Sequence, residues 1–477
     1  MEQETNNNQR SGSCAKEAHE LIRRLNQGDA IYYDVDQYEN FIDYFIQKNQ
    51  LSNSLRVVEY ANRQHDGAIP LWIKKSQIIF NLGQIDEAIS LAKHCMKFEP
   101  SNAELYYLVG TGYLNKNDGD RAKKYFEHTF HCESEHLDEV LFNIGYAYEQ
   151  VLDYHNAILF FRGAVKNNPK NTNAIYDLAY CYDKIENYKK AIWAYKHYLE
   201  LDPYNTSVWF NLGIALNHEQ KQDEALEAYE YALAINDKHT AALFNKANIL
   251  ANQYLYDEAI QAYKDYIELD SESDEAYCYI ADCYFNKREY REALNSYKQA
   301  IKINATNDCA WYGGALILLL TEDYDQCMTF LKQTVNINPD ISDYWISIGK
   351  VSLVLNHYEE AEYAFEKAIS LSPHETEVWT EMASFYHHYD QTAMAVDTLN
   401  RSKTFIPNDV EILYALSAYA YIDHQLSTGH QNLKKALSID SDSAESLLFE
   451  VFPELEKITE IKELLHNHKQ KTTVKVP

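Results

Sequence analysis

Apolar residues in this chain fall at helical spacing, and the spacing itself recurs. Ala191, Tyr195 and Tyr198 stand four and then three apart, which places them on one face of an α-helix. The phrase DEALEAYEYAL returns as DEAIQAYKDYI, REALNSYKQAI and EEAEYAFEKAI, with Ala225, Ala259, Ala293 and Ala361 separated by 34 residues or a multiple of 34. Extended both ways, the period passes through Ser54, Ala88, Ala122, Ala157, Ala191, Cys327, Ala395 and Gly429; one step, Ala122 to Ala157, is 35. Each period holds two amphipathic stretches of roughly 12 and 14 residues. The pattern predicts an all-α fold of twelve antiparallel helix pairs over residues 35–443. One pair cannot bury its apolar face alone, so the pairs must stack on their neighbours around a core continuous in one dimension.

Within a period numbered 1 to 34, side-chain size follows position. Position 20, the alanine above, is small throughout, and position 8 holds Gly110, Gly145, Ala179, Gly213, Ala247, Ala281, Ala315, Gly349 and Ala383. A mid-helix glycine costs about 1 kcal/mol against alanine, so its recurrence predicts close helix–helix approach. Large residues occupy the complementary places: Trp72, Trp209, Trp311, Trp345 and Trp379 at position 4, and Phe126, Phe161, Tyr195, Tyr229, Tyr263, Tyr297 and Phe365 at position 24. Position 32 holds Pro100, Pro169, Pro203, Pro339, Pro373 and Pro407, where proline stops the second helix.

VWFNLGIAL (208–216), followed by Ala225, Tyr229 and Ala232, resembles the tetratricopeptide-repeat (TPR) pattern W-x2-L-G-x2-Y…A-x3-F-x2-A. The resemblance covers about 35–443 and implies a right-handed superhelical solenoid of about twelve TPR helix-turn-helix units. The flanking phrases YYDVDQYENFIDYFI (32–46) and LLFEVFPELEKITEIKELL (447–465) are similar to the flanks of long cytoplasmic TPR proteins of Bacteroidetes-type bacteria. Outside the repeats, residues 1–34 read as a polar extension, disordered over 1–12 with a short helix over 13–26. Residues 444–477 read as a C-terminal cap helix (444–455, stopped at Pro453), a short helix (456–467) and a frayed tail.

In the TPR family the first helix of each repeat lines a concave groove through positions 2, 5, 6, 9, 12 and 13. On that assignment position 5 contributes Tyr107, Phe142, Tyr176, Phe210 and Phe244 in five consecutive repeats, an aromatic stripe. Aromatics are favoured at interfaces for their large contact area at low entropy cost, but they also pack against the adjacent repeat, and the two readings weigh equally. Position 6 contributes Asn143, Asp177, Asn211 and Asn245, a ladder able to hydrogen-bond an extended backbone; plain solvation of these side chains is the simpler alternative. Position 2 is acidic at Asp36, Glu104, Glu139, Glu275, Asp343, Glu377 and Glu411, against only Lys74, Lys184 and Lys350 across the six positions. The basic clamp with which some TPR domains grip a C-terminal carboxylate is therefore absent.

Charge sharpens this picture. Asp and Glu number 72 against 43 Lys and Arg, a net charge of −29. Such a surface repels phosphate backbones and argues against nucleic acid; it favours neutral or basic, apolar protein partners. No segment is apolar enough to insert into a membrane. The polar N-terminus has no apolar core, which argues against a secretory signal, and Cys14 does not follow an apolar stretch as a lipid-anchored start would. Eight scattered cysteines without a C-x-x-C pair fit reduced thiols and a cytoplasmic location.

Catalytic and metal chemistry find little support. His128, His131, Cys132 and His136 cluster at the 35-residue step, with spacings that suit zinc only weakly; exposed histidines at a helix end are the simpler reading, so no metal or cofactor is assigned. Cys278, Cys283 and Cys309 read as small buried hydrophobes. No phosphate loop and no acid–base–nucleophile set is present, so the chain is expected not to be an enzyme. The leading expectation is a protein-interaction scaffold binding a peptide segment or protein in the groove. The alternative is a structural subunit of a larger assembly using its convex or edge surfaces.

Overall fold

A computed structural model describes residues 2–132 and 136–473, and the side chains from residue 15 onward apart from 133–135, 450, 454 and 467–477. Among the described residues there is helix and no strand, and successive helices pack in consecutive pairs. The typical pair is a 13-residue first helix, such as Thr172–Lys184, and a 14-residue second helix, such as Tyr188–Leu201. The turn between them marks the period better than any side chain. Asn49, Gly83, Asn117, Leu152, Glu186, Gln220, Tyr254, Arg288, Glu322, Asn356, Asp390 and His424 all have φ between 54° and 81°. These are twelve left-handed residues at 34-residue steps with one step of 35, so the twelve expected repeats are present. They start at residues 35, 69, 103, 138, 172, 206, 240, 274, 308, 342, 376 and 410, numbered 1 to 12 below.

Each turn ends its helix with the same backward hydrogen bond. The Asp153 amide donates to the Tyr148 carbonyl at 3.0 Å, and Asn187 to Tyr182, Lys221 to Leu216 and Leu255 to Leu250 at 2.9 Å. This is the helix-ending arrangement that glycine normally serves, yet only Gly83 supplies one. Left-handed backbone costs an L-residue about 1–2 kcal/mol, partly offset by glycine's larger unfolded-state entropy. Leu152, at φ 60° and 70% exposed, loses nothing by truncation. Leu152→Gly is therefore expected to raise stability by about 0.5–1 kcal/mol, seen as a higher urea midpoint at unchanged slope.

The size code at positions 8, 20 and 24 is explained by what meets there. Position-20 residues from Ser54 to Ala395 are fully buried, and they sit against the first-helix backbone at position 8. Ser54 Oγ donates to the Ile42 carbonyl (3.4 Å) and Cys327 Sγ to the Ala315 carbonyl (3.2 Å). In repeat 12 the direction reverses, and Ser417 Oγ donates to the Gly429 carbonyl (3.1 Å). The position-24 ring lies over the position-8 glycine of its own repeat: Phe126 over Gly110, Phe161 over Gly145, Tyr229 over Gly213 and Phe365 over Gly349.

Neighbouring repeats are joined by position 4. The indole N–H donates to the carbonyl six residues earlier, at the end of the preceding repeat: Trp209 to Pro203 (2.8 Å), Trp311 to Ala305 (3.0 Å), Trp345 to Pro339 (2.7 Å) and Trp379 to Pro373 (3.0 Å). The indole N–H is thus satisfied across the repeat boundary while the ring rests on its own repeat, as Trp209 does on Tyr231 at 4.5 Å. An aspartate at position 1 adds a second tie. Asp138 accepts from Asn168 (2.8 Å) and Asn171 (3.0 Å), and Asp274 from Asn304 (2.9 Å) and Asn307 (2.7 Å). Asn171 and Asn307 also cap the next first helix through their side-chain oxygens.

The chain divides into two compact units, Met1–His239 and Thr240–Pro477, and the division falls at the boundary of repeats 6 and 7. In the first unit the N-terminal extension carries one helix, Glu2–Gln27, longer than the stretch over 13–26 that the sequence suggests and including residues 2–12, which read as disordered. Ala18 and Leu21 are fully buried against Tyr38, Phe41 and Phe45, so the helix caps repeat 1. In the second unit the cap is not the α-helix expected over 444–455. A π-turn (Ser446–Glu450) and a 3-10 turn (Pro453–Lys457) precede a helix Thr459–Thr473. Ala444, Leu448, Phe452, Leu455, Ile461 and Leu465 bury themselves on repeat 12, and the irregular path lets Phe452 meet Tyr419 edge-on at 4.9 Å. Of the stretch 469–477 expected to fray, 469–473 continue the helix Thr459–Thr473, which also runs past the expected end at 467, and 474–477 lie outside the described residues. Of the cysteines read as buried, Cys283 is buried and Cys278 half-buried, but Cys309 is exposed beside Asp308 at the start of its helix.

Candidate functional site: the first-helix face

In the first unit the first helices of successive repeats touch one another, Val35–Gln47 with Ile69–Asn81, then Ala103–Asn115, Leu137–Gln150 and Thr172–Lys184. They form a continuous face on which Tyr107, Phe142 and Tyr176, at position 5, lie half-buried, and Phe210, half-buried on the next first helix, Thr206–His218, adjoins it through the Asn211–Tyr176 hydrogen bond. Phe142 meets Phe161 at 5.7 Å, Tyr176 meets Tyr195 at 6.4 Å and Tyr198 at 6.2 Å, and Phe210 meets Tyr229 at 5.9 Å and His239 at 4.7 Å. The stripe is thus part core and part surface. The second-helix rings hold it rigid while leaving area free.

The position-6 side chains do not form a uniform ladder. Asn143 is exposed, whereas Asp177 and Asn211 are half-buried. Asn211 Nδ2 donates to the Tyr176 hydroxyl at 3.2 Å, tying position 6 of one repeat to position 5 of the one before. In the second unit Phe244 is half-buried among Tyr263 (5.8 Å), Tyr266 (5.2 Å) and Tyr279 (5.6 Å), with Asn245 half-buried beside it. Tyr312 and Ser347, at 3.1 Å, repeat the link seen at Tyr176 and Asn211.

The same face carries side chains at positions 9 and 12 that the aromatic stripe and the position-6 series do not include. Tyr146, at position 9, is 49% exposed and stacks on Phe142 at 6.4 Å, extending the aromatic surface outward. Tyr180 carries the Lys184 ammonium 5.0 Å above its ring. Glu149, at position 12, stands against Asp177 of the next repeat. Burial, and then the charge of Asp177, lift the Glu149 carboxyl from 4.5 to about 7. Burial lifts Asp177 from 3.8 to about 6. The Cys181 thiol points at Glu149 Oε2 from 4.0 Å.

These raised values fix a pH dependence. A carboxyl with its folded pKa above its unfolded one holds more protons when folded between the two, so its contribution falls as pH rises. For this pair the contribution is whole below about 4 and is lost as pH passes through about 6 and about 7. Glu149→Gln is expected to gain stability relative to the parent as pH rises from about 5 to about 7.5, read from urea midpoints at both ends; a parallel shift would exclude this linkage.

The histidine cluster does not assemble. His128 ends a shortened helix, Gly119–His128, and leans on Tyr106 at 5.4 Å. His131 and His136 are exposed and Cys132 is buried, while residues 133–135 lie outside the described residues. Among the described residues no three His, Cys, Asp or Glu side chains converge as metal ligands, and no helix is long and apolar enough to cross a membrane.

Residues 138–171 and 172–205, which are repeats 4 and 5 in the same register, match one tetratricopeptide-repeat profile, and 194–227 match another. The chain is a tetratricopeptide-repeat protein. Residues 234–448 also match the profile of the cilia and flagella-associated protein 70 C-terminal domain. Among solved structures the TPR chain is similar to the C-terminal part of a TPR repeat-containing protein from Cytophaga hutchinsonii. That match has 18% identity, covers 50% of this chain and 98% of that one, and has a TM-score of 0.41. It is similar to a TPR protein from Parabacteroides merdae, at 18% identity over 52% and 98% with a TM-score of 0.38. It is also similar to YrrB, a TPR protein with an unusual peptide-binding site, at 21% identity over 40% and 98% with a TM-score of 0.34. No curated protein matches the chain. TPR arrays are generally non-catalytic protein-interaction folds.

Proposed function

We propose that this TPR protein is a cytoplasmic scaffold that holds an extended segment of a protein partner on the first-helix face of repeats 3 to 6. Tyr107, Phe142, Tyr176 and Phe210 would take its apolar side chains, and Asn143, Asp177 and Asn211 its backbone. Phe244 and Asn245 give the second unit a face of the same chemistry. One observation carries the reading: the position-5 rings of repeats 4 to 6 are fixed from behind by position-24 rings and open in front. Rigid aromatic area of this kind costs little entropy to bury. The acid surplus favours a neutral or basic segment. Capture of partners by the full-length chain, compared with a Phe142→Ala/Tyr176→Ala/Phe210→Ala variant and followed by synthesis of the captured segment, tests it. Equal capture by both would move the interaction to the second-helix or edge surfaces, as for an assembly subunit.

A further inference from the structure

Two cavities open at the N-terminal end of the first unit, and they adjoin. One, about 660 Å³, lies among Glu39, Pro70, Ile73, Phe98 and Glu99. The other, about 350 Å³, lies among Phe80, Tyr107, Leu108, Glu139 and Asn143. Lys74 and Glu104 line both. A shared wall makes them one trough across repeats 1 to 4, and each cavity is of a size that accommodates side chains or small ligands.

The lining has an apolar floor and an acidic rim. Ile73, Phe80, Leu108 and Val140 form the floor. Glu39, Glu99, Glu104 and Glu139 face Lys74, whose ammonium is already held by Asp43 at 2.6 Å, and the His136 imidazole, 4.0 Å from Glu139. Gln77 donates to Glu104 at 3.1 Å, which orients that carboxylate without neutralising it. Glu39 shows how crowded the negative charge is. Burial raises its pKa, Lys74 opposes, and Asp43 and Asp36 raise it further. A divalent cation does not explain the trough, because no three acidic, His or Cys side chains converge there among the described residues. A nucleic acid is repelled by it.

We infer that this trough docks an extended segment of a partner protein in which basic side chains alternate with apolar ones. The basic groups meet Glu104 and Glu139 at the rim, and the apolar side chains lie on Phe80 and Leu108. Alternation follows because an extended strand sends successive side chains to opposite sides, so one set can reach the rim carboxylates while the other rests on the apolar floor. The inference rests on the first-helix face being the binding face, and it assigns the charge preference to the N-terminal repeats.

Three sets of immobilised nonapeptides provide the probe: Leu alternating with Arg, with Gln or with Glu. The parent is expected to retain the Leu/Arg set at least about fivefold over the Leu/Gln set at low salt, with the margin shrinking as salt rises. Glu104→Gln/Glu139→Gln changes two exposed side chains and is expected to bring the ratio below about twofold. Glu227→Gln/Glu258→Gln removes the same charge from second helices and should leave the ratio intact. The Phe142→Ala/Tyr176→Ala/Phe210→Ala variant should retain less of every set while keeping the ratio. An unchanged ratio in Glu104→Gln/Glu139→Gln, or equal retention of the Leu/Glu set by the parent, overturns the trough assignment alone. No retention of any set by the parent overturns both this inference and the first-helix face on which it rests.

Discussion

Truncating Phe365 to Ala is expected to destabilise the second unit by about 3–5 kcal/mol, the largest effect of any single substitution considered. Phe365 is fully buried, meets Phe385 at 5.6 Å, and lies over Gly349 at position 8 of its own repeat. Loss of the ring leaves a hole that two packed helices cannot close. The converse change, Gly349→Ala, crowds the same contact. A methyl there would stand 2.6 Å from Phe365 Cε1 and Cζ, closer than any carbon pair tolerates. It should cost about 1–3 kcal/mol despite alanine's better helix propensity. The double variant decides whether the glycine is present because of the ring. With Phe365 gone, the methyl added at position 8 occupies part of the hole, so the two losses should fall short of their sum by at least about 0.5 kcal/mol. Strict additivity in urea unfolding would mean the two residues respond to different neighbours. Because repeats couple to nearest neighbours, hydrogen exchange should rise in repeats 9 to 11 and little elsewhere; uniform loosening of the whole chain would contradict one-dimensional coupling.

That pairing also shows what the sequence makes legible. Small residues at positions 8 and 20 and rings at position 24 are selected by one geometric demand, repeated along the chain, so periodicity exposes it. The left-handed turn residue is just as periodic but chemically mute: Leu152, Tyr254, Arg288 and Glu322 share a backbone conformation and nothing else. The stacked repeats impose it, so no turn residue announces it. The two ends were hidden for a different reason. Ala18 and Leu21 in the N-terminal helix, and Phe452 in the C-terminal cap, each bury against a single terminal repeat. With no second copy to compare, polar composition in the first case and Pro453 in the second were misleading guides. On the first-helix face, Tyr107, Phe142, Tyr176 and Phe210 were readable from the stripe. The Glu149–Asp177 contact was not, because it joins position 12 of one repeat to position 6 of the next. Only the offset between stacked helices brings those two together.

Replacing Phe142, Tyr176 and Phe210 together by Ala is expected to weaken partner capture more than about tenfold, equivalent to about 1.4 kcal/mol or more. Three half-buried rings in successive repeats present one surface, and contacts spread over them make each single loss modest and the combined loss large. The same rings rest on Phe161, Tyr195 and Tyr229, so truncation also loosens repeats 4 to 6. Helicity measured by circular dichroism should persist, since the other repeats are untouched, but hydrogen exchange in those three should quicken. A second variant separates the two effects. Tyr146 is the exposed outer partner of Phe142, and Asn143 is exposed beside it. Tyr146→Ala/Asn143→Ala should therefore change stability by no more than about 0.5 kcal/mol per site. If the face binds, this variant loses about threefold or more in capture with exchange unchanged, because an exposed aromatic at a contact contributes by its own buried area. Lys350→Glu, in the second unit and engaged with Glu377 and Glu381, should leave capture by the first unit within about twofold. Should the triple variant lose capture while Tyr146→Ala/Asn143→Ala retains it in full, the aromatics would matter only as packing. The binding surface would then lie on the second helices, where Trp193 and Tyr231 are exposed.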